Sequence, residues 1–462
     1  MNLLNMSEND IKEVLKKGKL TAAIYGIGRI GLPLACTFLK AGFNVICVDK
    51  NYNKVLKINQ GLPPASQYSR FAPLISKYVT EGKLRATANG VYATENSNVI
   101  IVTVPVDVKI SKKKVEVVNK DLINTVKDVG KGLGIGNLVI IETLVPPKTT
   151  VDVIKPILEH LSGLRVEYEF GLAYAVERLD KPCTEKEECV QVVGGYGPNS
   201  SRLTKTIYES VFGGRVVTLP SPTLAEFVYL AESLYYDVNM AMANELAQLF
   251  SEFNMNVRDL VSILRNVIKI DMPLPKAGLG GPKIPKSTCI LISEAEKHGL
   301  VMDLALTSRV INDAMLDYLL FLVKEAAEKL GISLREARIA ILGVAYREDV
   351  PSPEDSPTHK FIGLLLKEHV KKGNIIVHDP HVAEDPELKV ELTMNLAMAL
   401  KNSDIVVVMI GHSVYRDVSL SAIKTLSGKR RLAIVDGANV LRKETLTHGV
   451  LYVGLGTPWY EM

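Results

Sequence analysis

Two short stretches of this 462-residue chain carry residue types whose spacing points to chemistry. The first is AAIYGIGRIGLPLACTFLKAGFNVICVD, where Gly26, Gly28 and Gly31 form a G-x-G-x-x-G set directly after an apolar run. The first glycine permits a tight turn, the second lets a pyrophosphate approach the backbone, and the third lets a helix pack closely on a strand. The helix that begins there offers N–H groups and the positive end of its dipole to phosphate, so Ile27, Arg29 and Ile30 join the glycines as cofactor-binding candidates. Asp49 closes the next apolar run, 23 positions after Gly26. A carboxylate there accepts hydrogen bonds from a ribose diol and repels a 2′-phosphate, so the pattern predicts NAD rather than NADP. The second stretch is 275–287, PKAGLGGPKIPKS, with three prolines and three glycines around Lys276, Lys283 and Lys286. A loop punctuated in this way is stiff, and it holds Lys283 at its apex. A lysine in that place can form an imine with an aldehyde or, if burial draws its pKa toward neutrality, act as general acid and base. The plainer alternative is a solvated loop lysine.

These residues need elements to position them. TAAIYG, NVICVD, NVIIVTVP and NLVIIET are short, rich in β-branched residues and separated mostly by helical patterns. That alternation predicts a doubly wound parallel sheet, with VQVVGG at 190–195 as its last strand. Residues 223–253 read as one helix without proline or glycine, apolar at Leu224, Phe227, Val228, Ala231, Leu234, Tyr235 and Val238. At 1.5 Å per residue it spans roughly 45 Å, more than one small domain needs. It is therefore expected to join two domains and to offer a dimer surface. A second α/β unit starts near Ala337 with RIAILG, NIIVHDP, DIVVVMIGH, LAIVDG and VLYVGLG. The fold class predicted is α/β, two Rossmann-like doubly wound domains joined by a long central helix and a helical middle domain. The expected divisions are a helical extension over 1–20, an NAD-binding domain over 21–205, a central dimerisation domain over 206–330 and a C-terminal domain over 331–462.

The totals exclude several classes. Apolar residues make up 47% and charged residues 23%, a soluble globular balance, and the formal charge of +4 is too small and too evenly spread for nucleic acid. No apolar run approaches the roughly 18 residues of a membrane span. The N-terminus reads as a surface helix capped by Ser7 and stopped by Gly18, not as a signal peptide. Five cysteines without disulfide or zinc spacing place the protein in the cytoplasm. His378 and His412 close strands of the last unit without a metal-ligand neighbour at useful spacing, so structural roles and no metal site are expected.

The ordered motifs together resemble the UDP-glucose/GDP-mannose dehydrogenase family from about Leu20 to the C-terminus. GIGRIGLPLA, INQGLPP, ETLVPPKTT, VNMAMANELA, the loop at 275–287, GVAYRED, HDPHV, MIGHSVYRDV and YVGLGTP are each similar to a family counterpart. ERLDKP at 177–182 is nearer to the N-acetylhexosamine branch than to the UDP-glucose branch. The resemblance implies a nucleotide-sugar substrate such as UDP-N-acetyl-mannosamine, a UDP-binding C-terminal domain and a homodimer. It also implies that Val104, Pro105 and Thr143 line the cofactor, and Gly278, Gly280, Gly281 and Arg347 the substrate.

Family members oxidise a primary alcohol to a carboxylate in two hydride transfers, capturing the aldehyde on a cysteine thiolate between them. A lysine and an asparagine on the central helix steady the oxyanion. This chain departs at those places. Lys283 stands at the cysteine, Ser287 at the loop aspartate, Tyr229 at the lysine, Ser233 at the asparagine and Tyr236 at an arginine. Leu144 replaces a threonine and Glu354 an arginine, while Glu177 and Asn239 are retained. The catalytic candidates are thus Lys283, Glu177, Tyr229 and Asn239, with Cys183 and Cys289 as substitute thiols. Three readings stay open: an oxidoreductase of nucleotide sugars with altered chemistry at C6, a non-catalytic NAD-binding paralogue, and a one-step NAD dehydrogenase on the same scaffold.

Overall fold

The computed structural model describes residues 1–111, 114–177, 190–441 and 447–461. It divides into two compact units, Met1–Glu232 with Cys289–Gly299, and Ser233–Thr288 with Leu300–Met462.

In the first unit, apolar runs of four or five residues become β1 (Thr21–Tyr25), β2 (Asn44–Val48), β3 (Leu84–Thr87) and β4 (Val99–Val102). A hairpin of β5 (Asp107–Ser111) and β6 (Lys114–Val118) follows, then β7 (Leu138–Ile141), β8 (Gly171–Ala175), β9 (Gln191–Gly195) and β10 (Val216–Leu219). The sheet order is β10-β9-β8-β7-β4-β1-β2-β3. Its pairs are parallel except β8 with β9, which run antiparallel with Ala173 opposite Gly195. β4 and β7 are buried along their whole length, as a sheet covered on both faces requires. Strand order reverses between β1 and β4, and the crevice beyond the ends of those strands is where open α/β sheets bind ligands.

The N-terminal segment forms the expected helix, Glu8–Lys16, with a capping box between Ser7 and Asp10. It is not a separate extension, because Leu3, Leu4, Ile11 and Leu15 belong to the core of the first unit. Arg202 fastens it by donating to the carbonyls of Leu4 and Met6, both at 2.8 Å. The boundary expected at 205/206 falls inside the helix Pro198–Phe212, and the sheet continues to β10. Tyr208 and Phe212 of that helix pack with Phe38 and Phe43, an aromatic cluster no boundary could split.

The second unit carries β11 (Ile339–Leu342), β12 (Ile375–His378), β13 (Glu391–Thr393), β14 (Ile405–Val408), β15 (Leu432–Asp436), β16 (Val450–Gly454) and β17 (Tyr460–Glu461). Their order is β13-β12-β11-β14-β15-β16-β17, parallel except for β17. The helix Asp303–Leu330 buries Met315, Leu319 and Val323 against β11, β14 and β15. The long helix is Pro222–Glu252, within a residue of its sequence expectation.

Within the second unit that helix and Asp303–Leu330 share a buried polar network. Arg309 Nη1 donates to Asp237 Oδ1 at 2.9 Å, Asn312 Nδ2 to the same oxygen at 2.7 Å, and Asn244 Nδ2 to Asn312 Oδ1 at 2.9 Å. Asn244 Oδ1 then accepts the Lys276 N–H at 3.0 Å, so the network ends on the stiff loop. No helix of the described residues is long and apolar enough to cross a membrane.

Candidate functional site

The dinucleotide turn has the geometry its glycines predict. Gly26 leaves β1 with φ 99°, a conformation that excludes a side chain at little cost only in glycine. A Cβ on Gly31 would lie 1.9 Å from Gly26 O, so the helix Gly31–Lys40 rides directly on the turn. A Cβ on Gly28 would meet nothing within 4 Å, which leaves its backbone open to an approaching phosphate. The helix has no side-chain cap at its start, and its Leu32 and Leu34 N–H groups bond back to Gly28 O and Ile30 O, both at 3.1 Å. These residues fit a dinucleotide pyrophosphate.

Asp49 follows β2 and first braces this turn. Its Oδ2 accepts the Ile27 N–H at 2.9 Å and the Lys54 ammonium at 3.2 Å, while Oδ1 accepts the Asn51 N–H at 2.8 Å. The carboxylate is thereby fixed at the strand end where a ribose diol would reach it. Val104 and Pro105 follow β4, across the switch point from Gly26. Thr143 follows β7 and is buried, its carbonyl accepting the Tyr174 hydroxyl at 2.9 Å.

Glu177, Tyr229 and Arg29 are brought together from 200 residues of sequence. Tyr229 Oη donates to Glu177 Oε2 at 2.9 Å, and Arg29 Nη1 stands 3.5 Å from Glu177 Oε1. Both Glu177 and Tyr229 are only 2% exposed. Burial, then the neighbouring Glu177 charge, pushes the Tyr229 phenol well above its usual range, so it keeps its proton at neutral pH. Arg29, expected on the cofactor, therefore also holds the charge of a catalytic candidate. That link joins the dinucleotide motif to the retained Glu177. Of ERLDKP only Glu177 lies within the described residues, and Cys183 lies outside them.

Two more buried carboxyls support this half of the site. Burial pushes Glu142, at the end of β7, up to about 8, against the pull of the Tyr208 hydroxyl on its Oε2. Glu226 caps the turn after ETLVPP, accepting from Lys148 N at 2.6 Å, Thr150 N at 2.8 Å and Thr150 Oγ1 at 2.6 Å. Lys148 takes φ 68° to make that turn, and burial lifts Glu226 to about 7 despite its three donors.

The remaining candidates other than Cys289 lie in the second unit. Lys283 immediately precedes the helix Ile284–Lys297 and is half-buried. Its carbonyl accepts from Ser287 N at 2.9 Å and Ser287 Oγ at 2.8 Å, so Ser287 is a buried residue bonded back onto the start of its own helix. The loop glycines are closed over by the chain itself. Added Cβ atoms would strike Asp355 O and Pro357 Cδ at Gly280, both at 2.5 Å, and the Tyr346 ring at Gly281, at 2.4 Å. Gly278 faces Leu316 and Pro357. Glycine is needed there for packing against the segment after β11, which also carries Arg347. Asn239 folds back on its own helix, Nδ2 donating to Tyr235 O at 2.6 Å. Cys289 is buried in the helix Ile284–Lys297, among the first unit's residues.

Sequence reasoning missed three features. Lys276, not only Lys283, is placed by design of the loop, with Nζ 2.9 Å from Glu348 Oε1. The polar network that ends on Lys276 N was invisible because its members are ordinary helix residues in sequence. His412 was expected to lack metal-ligand neighbours, yet the fold sets Asp349 and His381 beside it. His378 is structural as expected, with Nδ1 2.8 Å from Tyr415 Oη and Nε2 3.3 Å from Met394 O.

A complete dinucleotide turn at one switch point and a second Rossmann-like sheet define an NAD-dependent dehydrogenase scaffold with separate cofactor and nucleotide domains. Comparison with known proteins makes the class specific. The NAD binding, central and UDP binding domains of the UDP-glucose/GDP-mannose dehydrogenase family match residues 20–212, 223–314 and 340–443. A UDP-N-acetyl-D-mannosamine dehydrogenase of Pyrococcus horikoshii is 30% identical over 441 residues, 94% of this chain and 98% of its own. A solved UDP-D-ManNAc dehydrogenase from Pyrococcus horikoshii is similar with TM-score 0.80 and 28% identity, covering 95% of this chain and 99% of that one. An NDP-N-acetyl-D-galactosaminuronic acid dehydrogenase from Methanosarcina mazei Go1 gives TM-score 0.75 and 27% identity over 99% and 98% of the two chains. The chain belongs to the UDP-glucose/GDP-mannose dehydrogenase family, and its cofactor is NAD.

Two outcomes are expected from this half of the site. Asp49→Ala removes charge-assisted hydrogen bonds and weakens NAD binding by about 1.5–3 kcal/mol, read by calorimetry; unchanged affinity removes Asp49 from the cofactor site. Glu142 binds its proton more tightly folded than unfolded, so it contributes most below its unfolded pKa near 4.5 and loses that contribution as pH rises toward 8. Denaturant unfolding should therefore show stability falling over that window by up to about 1.4 kcal/mol per pH unit from this group. Glu142→Gln should flatten that slope, and an unaltered slope would place the titration elsewhere.

Proposed function

We propose that the protein is an NAD-dependent nucleotide-sugar dehydrogenase that carries out a single two-electron oxidation of a CH–OH group, at C6 of a UDP-N-acetylated sugar such as UDP-N-acetyl-mannosamine. The observation that carries this reading is the Arg29–Glu177–Tyr229 set, in which Arg29 comes from the dinucleotide turn and Tyr229 stands on the long helix where the resemblance expects a lysine. NAD, when bound at Gly26–Gly31 and Asp49, supplies the hydride acceptor. The chain handles the proton. Tyr229 Oη accepts it from the sugar hydroxyl while passing its own proton to Glu177 Oε2, and Arg29 steadies the carboxylate beforehand. The products balance as an aldehyde, the reduced cofactor and one proton. A second oxidation in this family needs a thiol to make the aldehyde carbon tetrahedral, and Lys283 has none to offer. The substrate reading is supported by the UDP binding domain match and by the names of the relatives.

The same reading includes a homodimer working in the cytoplasm. Tyr235, Met242 and Leu249 recur at seven-residue intervals on the long helix and are 70%, 45% and 51% exposed. Such a stripe fits a second copy of the helix. Light scattering should give twice the 50.7 kDa chain mass, and Met242→Asp should shift the particle to monomer; a monomeric wild type refutes the assembly.

The deciding assay follows NADH absorbance with UDP-sugars and counts NADH per sugar consumed. One NADH per sugar is expected, with turnover reduced on the order of 10²–10⁴-fold in Tyr229→Phe. Two NADH per sugar would show that oxidation continues without the cysteine. No NADH, with NAD still bound, would make the chain a non-catalytic relative, the reading favoured by its many departures at family positions.

A further inference from the structure

The loops after β11, β12 and β14 meet at the second sheet's switch point, and each contributes one metal-ligating side chain to the same spot. Asp349 comes from the first, His381 from the second and His412 from the third. Asp349 Oδ1 stands 3.3 Å from His381 Nε2 and 3.6 Å from His412 Nδ1, and the three donor atoms all lie within 4.8 Å of one another. Donors held about 2.0–2.1 Å from a tetrahedral ion stand roughly 3.3–3.4 Å apart, close to the two spacings that Asp349 Oδ1 makes.

The surroundings orient the ligands. His412 Nε2 lies 3.1 Å from Asp379 Oδ2, and both side chains are fully buried. Asp379 is oriented by the N–H groups of Val344, Ala345, His381 and Val382, which it accepts at 2.8–3.0 Å. It therefore holds the proton on Nε2 and leaves the lone pair on Nδ1, facing Asp349. A carboxylate behind a histidine in this manner sets tautomer and ring orientation in metal sites. Asp349 is pinned from the other side by Ser413 N at 2.9 Å and Ser413 Oγ at 3.1 Å, and takes φ 55° to present its carboxylate. His412 Nδ1 accepts the Asp349 N–H at 2.9 Å, so an ion would take over one hydrogen bond. Asp349 and His381 are exposed, which leaves water able to complete the coordination.

We propose that Asp349, His381 and His412 bind a divalent cation of the zinc class. Two imidazoles and one carboxylate select zinc, cobalt(II) or nickel(II) over magnesium and calcium, which demand oxygen donors. The ion ties together the three loops that surround the switch point.

The test uses untagged full-length protein, stripped with chelator and titrated with cobalt(II) while the visible d–d absorption is followed, then with zinc by calorimetry. One equivalent bound is expected, with zinc displacing cobalt and raising the melting temperature. His381→Ala and Asp349→Asn, both exposed positions, should each weaken binding at least tenfold with unchanged circular dichroism. Asp379→Asn, which acts through His412, should weaken it roughly 10–100-fold if it folds. His298→Ala, on a surface helix turn, should change nothing. No saturable binding overturns the proposal, and so does binding that His381→Ala leaves intact.

Discussion

A Cβ on Gly31 would sit 1.9 Å from the carbonyl of Gly26, and that approach governs the first unit. It forces helix and strand together at one angle, so the residues between them have almost no freedom. Arg29 lies in that span, and its side chain extends from the turn. There it meets Glu177, a carboxylate with almost no contact with water. Removing a charge from water costs several kcal/mol, and the Arg29 guanidinium 3.5 Å away offsets part of that cost. The cofactor motif thus reaches beyond phosphate binding and sets the electrostatics of the residue beside it.

The same economy explains how the family's lysine position can hold Tyr229. A buried lysine in contact with Glu177 would bring a charge of its own, and Arg29 already supplies one. A phenol adds a donor without a charge, and Glu177 accepts it. In the second unit Arg309 and Asn312 converge on one oxygen of the buried Asp237. The stiff loop is anchored to that arrangement through Asn244, so its position depends on charges buried well away from Lys283 in sequence.

What could be read from the sequence follows from how local each signal is. Gly26, Gly28 and Gly31 are legible because a turn, an open approach and a close packing each demand glycine within six residues. The buried strands from TAAIY to VLYVG are legible because a parallel sheet covered on both faces needs unbroken apolar runs. β3, LRAT, and β13, ELT, escaped because short edge strands alternate or carry charge. β8, GLAYA, escaped because small apolar residues fit helix as well as strand. Thr206 lies in the middle of a helix whose face completes the first core, a packing relation that no local composition signal announces. Contacts such as 29 with 177 and 229, or 349 with 381 and 412, join segments far apart in the chain. No spacing rule along the chain encodes them.

Glu142 has a consequence for the molecule as a charged particle. The formal charge of +4 counts every glutamate as ionised. With its carboxyl held near 8, Glu142 is mostly neutral at pH 7, which alone makes the folded chain +5 rather than +4. Folding at neutral pH therefore draws a proton from the buffer. Electrophoretic mobility of native and urea-unfolded protein should differ by more than size explains, and the heat of unfolding should carry the ionisation enthalpy of the chosen buffer.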